Sequence, residues 1–313
     1  MVFHNLKFGW LFRKSPNAQH WGFFCTILWN NFCLSNCKCG GRNTDCINFI
    51  DHFHAMKKIA LYIILLMVFG LKAQDRPAFK AGEWLKFRIH YGFLNASFAT
   101  LKLESKKIDT IPVYHVIGTG KTTGLARLFF KVDDRYESYF GKNDSKPYKF
   151  IRKIDEGGYT KDIEIDFDYN KDTALLIDKK NKKKFDFKID DNIQDLLSAA
   201  YHLRKNYSID DLVIGESIVM DMLFDDDGPY QFKLKFLGKE IVKTKYGKVE
   251  CLKFRPYVQS GRVFKEQESL TLWVSNDHNK IPIRIKADLA VGSIKADLDG
   301  YNGLRNQFKI IMD

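Results

Sequence analysis

Apolar and polar residues alternate with a period of two through most of this chain, and this pattern constrains the fold more than any other feature. In the stretch from Trp84 to Tyr91, Leu85 and Phe87 alternate with Lys86 and Arg88, as in a strand with one buried face. The same pattern predicts about fifteen short strands separated by glycine-rich turns. We therefore expect a mainly β fold, with a curved, part-closed antiparallel sheet.

One segment has helical spacing instead. Apolar residues recur every three or four positions from Leu196 to Leu203, which predicts one well-defined amphipathic helix. We expect Asn192 as its N-cap, with Asp195 completing a capping box. A short second helical turn is expected over Thr123–Phe130.

The chain divides at Met56, where an export signal begins. Two lysines follow Met56, and Ile59–Leu71 contains no charged residue. A basic start, a short apolar run and a small residue at Ala73 are typical of a cleavable signal peptide. The apolar run is shorter than the roughly 20 residues of a membrane-spanning helix; an uncleaved anchor helix is the alternative. The sequence therefore predicts a signal peptide at residues 56–73 and export to the periplasm.

The expected domain organisation follows from that boundary. Residues 1–55 show no regular periodicity, and we interpret them as mis-translated upstream sequence that is disordered. Residues 74–313 are expected to form a single β-rich domain, with a subdivision near 210 as the alternative. No cysteine follows the apolar run directly, so the sequence does not predict a lipoprotein.

Charge and cysteine content narrow the function classes. Residues 1–73 hold 8 basic and 2 acidic residues, which leaves 42 Lys+Arg against 36 Asp+Glu in the rest. This mild excess does not predict nucleic-acid binding. The clustered cysteines before residue 50 lack the paired spacing of a zinc site. Cys251 is the one remaining cysteine, and we expect it to be a buried apolar residue.

Catalytic and cofactor motifs are weak or missing. The sequence Gly118-Thr119-Gly120-Lys121-Thr122 lacks the early glycine of a phosphate-binding loop, so no nucleotide is expected. Asp225–Gly228 lacks the alternating ligands of a calcium loop and is interpreted as a hairpin turn. No hydrolase motif is present. We expect no metal, no cofactor and no enzymatic activity, although a site assembled from distant loops stays open.

Several segments together resemble the bacterial envelope family catalogued as domain of unknown function 3108. They are Phe79–Leu85, Tyr91–Ala96, Asp195–Arg204, Thr244–Val249 and Leu272–Asp277. The resemblance covers about Phe79 to Leu298. It implies an architecture similar to LolA/LolB-type lipoprotein carriers, a half-barrel sheet wrapped around helices with an apolar interior. It implies no catalytic residues.

These observations suggest a protein that binds or carries a lipid or another apolar ligand in envelope maintenance. A lipid or lipoprotein is the expected partner, and the membrane is expected to be met only transiently during export. The candidate ligand-binding residues are Trp84, Phe87, Phe98, Leu125, Leu128, Phe129, Phe130, Leu197 and Trp273, with Leu101 and Leu196 as further bulky residues available to a cavity.

Two alternatives and two local expectations accompany this hypothesis. The interior could instead be filled, which would suit a non-catalytic structural or interaction protein of the envelope; an enzyme with a scattered site is the third class. Residues Gly118–Phe130 are expected to form a lid over the cavity. The lysine-rich stretch Lys179–Lys184 is interpreted as a solvated hairpin tip, or as a contact for anionic lipid headgroups.

Overall fold

A single antiparallel sheet of 14 strands organises the chain. The computed structural model describes residues 77–124, 127, 131–208, 210–257 and 270–311. All of these belong to the second of two units, Met1–Gln74 and Asp75–Asp313, into which the chain separates. The predicted upstream segment, the signal peptide and the cysteine cluster therefore lie outside the described residues.

The strands are connected in sequence by hairpins, and one helix, α1 at Leu196–Asn206, follows β8. The strand bounds are β1 Trp84–Tyr91, β2 Leu94–Ile108, β3 Ile111–Thr122, β4 Asp133–Gly141, β5 Pro147–Glu156, β6 Tyr159–Asp168, β7 Thr173–Asp178, β8 Lys183–Lys188, β9 Ser217–Met222, β10 Tyr230–Thr244, β11 Gly247–Tyr257, β12 Leu270–Ser275, β13 Pro282–Asp288 and β14 Ser293–Asn302.

The order of strands across the sheet explains its curvature. It runs from β8 down to β1, then from β14 down to β9, so β8 and β9 are the two edges and α1 connects them. Met220 and Met222 of β9 share a buried cluster with Ile163 of β6 and Leu176 of β7. One edge thus packs against strands near the other edge without ladder pairing to them. The sheet is a half-barrel, as the alternation predicted.

Helix α1 begins at a capping box whose position differs from the expected one. The N-cap is Asp195, whose carboxylate accepts hydrogen bonds from Leu197 N and Ser198 N, while Ser198 Oγ accepts one from Asp195 N. Ser138 Oγ of β4 also donates to Asp195 Oδ2, at 2.5 Å. The expected N-cap, Asn192, is therefore wrong by one turn. The bond from β4 explains why the buried carboxylate takes this position.

Glycines inside β10 and β3 change the predicted elements. The alternation predicts separate strands at Tyr230–Phe236 and Glu240–Thr244, whereas the structure has one strand, β10, with a register shift at Gly238. Gly238 has a φ of +108°, which suits a β-bulge that bends the strand without ending it. Gly118 and Gly120 lie inside β3, so they do not hinge a lid. Residues 125, 126 and 128–130 of the expected lid and second helical turn lie outside the described residues.

A buried ion pair joins three parts of the chain beside α1. Arg204 donates to both carboxylate oxygens of Glu83, each at 2.7 Å, and to the backbone oxygen of Asn279 at 2.9 Å. The side chains of Arg204 and Glu83 are 6% and 1% exposed. The pair connects α1 to the start of β1 and to the turn before β13.

Among the described residues, no helix is long and apolar enough to cross a membrane.

Candidate functional site

A cavity of about 780 Å³ lies along α1. Its largest wall is the concave face of β9–β13, and Leu101 of β2 and Tyr136 of β4 close the opposite side. Its volume falls within the roughly 300–1,000 Å³ of small-molecule pockets. The structure therefore has open space of the size of a small-molecule pocket beside α1.

The helix contributes an apolar stripe to this cavity. Leu196, Ala200, Leu203 and Tyr207 lie at three- and four-residue spacing and face the cavity, while Tyr201 is packed in a core cluster on another face of the helix. Leu196 is 40% exposed although it belongs to the wall. The cavity is thus open to solvent beside the helix, and its wall leaves apolar surface in water.

The sheet wall continues this apolar surface over the five strands β9–β13. Leu252 and Phe254 of β11 lie directly opposite Val274 and Leu272 of β12. All four line the cavity, since residues two apart on a strand share one face. Further apolar wall residues are Ile218, Met222, Phe224, Tyr230, Phe232, Leu234, Pro256, Leu270, Pro282 and Ile285.

A cluster of charged groups closes one end of the cavity. Arg152 Nη1 donates to Asp225 Oδ2 at 2.5 Å, and Lys161 Nζ contacts both Asp225 and Asp226. Burial alone would raise the pKa of Asp225, but hydrogen bonds from Asp226 and Lys161 and the charge of Arg152 hold it below its usual range. The two cations and two anions neutralise one another.

A second carboxyl pair lies next to this cluster. Glu156 lines the cavity, and Asp134 is buried beside it. Burial, together with a hydrogen bond to Glu156, raises the pKa of Asp134 to about 6. Asp134 is therefore protonated under mildly acidic conditions.

The charged groups at the other end are bonded within the protein. Arg204 is saturated by Glu83 and Asn279, and Lys280 Nζ donates to the backbone oxygen of Tyr207. The cavity wall therefore presents mainly apolar side chains, and its cations Arg152, Arg204 and Lys280 are each bonded within the protein. No group of three metal-ligating side chains occurs within the ranges that the structure describes.

The structure places the predicted ligand-binding residues apart from one another. Phe87 and Trp273 are buried in a core cluster that β1 shares with β10–β14. Trp84 packs over Gly300, and Phe98 lies under the Lys86 ammonium, 4.2 Å from its ring centre. Leu197 packs between two core clusters. None of these five is among the described wall residues of the cavity.

Other members of the predicted set have different outcomes. Leu101 and Leu196 do line the cavity. Leu125, Leu128, Phe129 and Phe130 lie outside the described residues, so their role stays a prediction. Cys251 is buried, as expected, and burial raises the pKa of its thiol to about 12.

The wall on β10–β12 was missed, although the sequence carries a signal for it. Phe232 and Leu234, Leu252 and Phe254, and Leu272 and Val274 each recur at a spacing of two in consecutive strands. The size of Trp273 makes it a candidate for the cavity wall. It lies between Leu272 and Val274, however, and so points to the face of the sheet away from the cavity. Alignment of the alternation in neighbouring strands would have identified the correct face.

The fold and cavity define a class: a curved antiparallel half-barrel that holds an open apolar cavity against one helix. Within that class, the family model described as a protein of unknown function, DUF3108, matches residues 86–299. The chain belongs to this family, as the sequence resemblance indicated. No curated protein sequence matches the chain.

Two solved structures are similar to this chain at low sequence identity. One is the β-barrel-like DUF1849 protein from Brucella abortus, with 9% identity, a TM-score of 0.47, and coverage of 72% of this chain and 98% of that one. The other is a candidate lipoprotein from Parabacteroides distasonis ATCC 8503, with 10% identity, a TM-score of 0.29, and coverage of 71% and 96%.

Proposed function

We propose that the protein binds the apolar chain of a lipid or a similar ligand in the cavity along α1 and carries it within the bacterial envelope. The observation that carries the proposal is the exposed apolar stripe of α1, with Leu196 at its start, facing an apolar sheet wall across open space. Removal of such apolar surface from water lowers the free energy, so a ligand that covers it is bound favourably. A filled, purely structural core would leave no such space.

Burial of the apolar chain alone can supply the free energy of binding, without polar contacts to the ligand. About fifteen buried methylene groups contribute about 12 kcal/mol. Association costs at least about 4 kcal/mol, so the affinity from this burial is at best about micromolar. Because the wall is mainly apolar and its cations are bonded within the protein, we infer that the buried part of the ligand is uncharged.

The compartment belongs to the same proposal. The basic residues after Met56, the apolar run and Ala73 support export to the periplasm through a cleaved signal. Amino-terminal sequencing of the protein recovered from the periplasmic fraction should give Gln74 as the first residue. A protein found in the cytoplasm with residues 1–73 attached would contradict this part.

A matched pair of variants tests the binding site. Leu196→Asp places a charge on the cavity wall at a position that is exposed in the empty protein, so it should leave the fold intact and weaken binding of a fluorescent acyl-chain probe by tenfold or more. Ile241→Asp is the control, because Ile241 is also exposed but does not line the cavity. Equal binding by both variants would overturn the proposed site.

A further inference from the structure

The hairpin turns at one end of the sheet form a surface that the cavity itself does not explain. Strand registers place the turns at residues 92–93, 157–158, 179–182, 223–229 and 289–292 at the same end of the sheet. We call this end the hairpin rim. Tyr159, an exposed residue of the cavity wall, begins β6 at this rim.

Two neighbouring turns on the hairpin rim expose a continuous group of apolar side chains. Because β1 pairs with β14, the β1–β2 and β13–β14 hairpins are adjacent, and Tyr91 OH donates to the backbone oxygen of Val291 at 2.9 Å. Phe93 is 92% exposed and Val291 is 77% exposed. With these two, the apolar tip patch consists of Tyr91, Phe93, Leu94, Leu289, Val291 and Ile294.

The composition of these tips is unusual for a surface in water. Residues 91–94 and 289–294 contain no charged side chain. Large exposed apolar patches mark sites that meet another apolar phase or a partner. A protein interface usually takes about 20–30 residues on each side and includes a polar rim. Two narrow, uncharged tips that project from the end of a sheet fit insertion into a lipid interface better.

A basic turn on the same rim provides the second component. The β7–β8 turn and the start of β8 carry Lys179, Lys180, Lys182, Lys183 and Lys184, all exposed. Lys179 is paired with Glu164. The nearby carboxylates Asp225 and Asp226 pair with Arg152 and Lys161. The charge of the turn therefore rests on Lys180 and Lys182–Lys184. Stable attachment to a membrane surface needs two weak signals, and apolar insertion with basic residues is one such pair.

We propose that the hairpin rim docks on a bilayer containing anionic lipid, with the apolar tip patch inserted at the interface and the Lys179–Lys184 turn on the headgroups. Docking in this orientation brings the cavity wall at Tyr159 next to the membrane. This goes beyond ligand binding, and it departs from the sequence-based expectation that the membrane is met only during export.

Vesicle flotation with the processed protein tests the tip patch. The wild type should float with vesicles of phosphatidylcholine and phosphatidylglycerol. Phe93→Asp with Val291→Asp should lower the bound fraction by tenfold or more, because both changes place charge at the interface. Ile214→Asp is the control, since Ile214 is 71% exposed and precedes β9 at the opposite end of the sheet. Loss of binding in the control, or none in the tip variant, would overturn the proposal.

Charge reversal tests the basic turn. Lys182→Glu, Lys183→Glu and Lys184→Glu together should weaken binding to the anionic vesicles and reduce its dependence on salt. The matched control reverses Lys80, Lys107 and Lys171, which are exposed near the opposite end. Equal effects of the two triple variants would contradict a role for this turn.

Two further measurements distinguish membrane docking from ligand binding and from self-association. The tip variant should still take up the acyl-chain probe in solution, so failure of docking and failure of ligand binding are distinguishable. Sedimentation velocity of the wild type should show a monomer. If the wild type self-associates through the tip patch and does not float with vesicles, the patch is a protein interface and the membrane proposal is wrong.

Discussion

At the level of single residues, the carboxyl pair of Asp134 and Glu156 gives folding stability a distinctive pH dependence. The folded-state pKa of Asp134 is about 6, raised by burial and by the bond to Glu156, and its unfolded pKa is near 4. The unfolded chain therefore releases this proton first as pH rises. The contribution of this group to stability is complete below pH 4 and is lost as pH rises through 6, up to about 3 kcal/mol.

Asp134→Asn should remove the loss of folding stability that occurs as pH rises. We expect the variant and the wild type to be equally stable at pH 4 and the variant to be more stable at pH 8, as measured by urea unfolding. Asp133→Asn on the same strand is the control and should leave the pH profile unchanged, since Asp133 forms an exposed pair with Lys121. Parallel pH profiles for wild type and Asp134→Asn would contradict the assignment.

The buried pair of Arg204 and Glu83 gives a second prediction at this scale. Glu83→Gln leaves the guanidinium of Arg204 buried without its counter-ion, and the expected loss of unfolding free energy is about 3–5 kcal/mol. Asp288→Asn removes an ion pair with Lys286 that is well exposed, so its melting temperature should match that of the wild type. A Glu83→Gln protein that melts like the wild type would show that this pair does not hold α1 in place.

At the level of elements, the position of α1 depends on the absence of a side chain at Gly118. A Cβ there would lie 3.3 Å from Leu101 and 3.7 Å from Leu197 of the helix, whereas a Cβ at Gly120 would meet only Asp134, at 3.8 Å. Gly118→Val should therefore destabilise the protein by about 1–3 kcal/mol in thermal unfolding. Gly120→Val should cost clearly less. Equal effects at the two positions would show that close packing of α1 on β3 is unimportant.

The sequence predicts most of the strands and the helix, but it does not predict which face of each strand meets the helix. Strands such as β1 and β6 follow from alternation alone, because each buries one side of a ladder. The position of Asp195 as the N-cap depends on a hydrogen bond that Ser138 donates to its carboxylate, and this bond joins strand to helix over a long sequence separation. The error at Trp273 has a similar cause: local alternation identifies two faces but does not say which one meets the helix.

At the level of the whole molecule, one helix cannot cover the concave face of so wide a sheet. A helix is about 10 Å across, and the five strands of the cavity wall, at about 4.8 Å spacing, span roughly twice that width. The β9 edge packs against β6 and β7 and closes part of the remaining space. The rest is the apolar cavity, and the account depends on that cavity being a site for a ligand.

Native mass spectrometry of the purified, processed protein tests this most directly. The account predicts a one-to-one complex with an apolar molecule that is released by organic solvent, and that stripped protein takes up one acyl-chain probe. The complex should be lost in Leu196→Asp and retained in Ile241→Asp. A wild-type protein that shows only the mass of its polypeptide and takes up no probe after stripping would contradict the account.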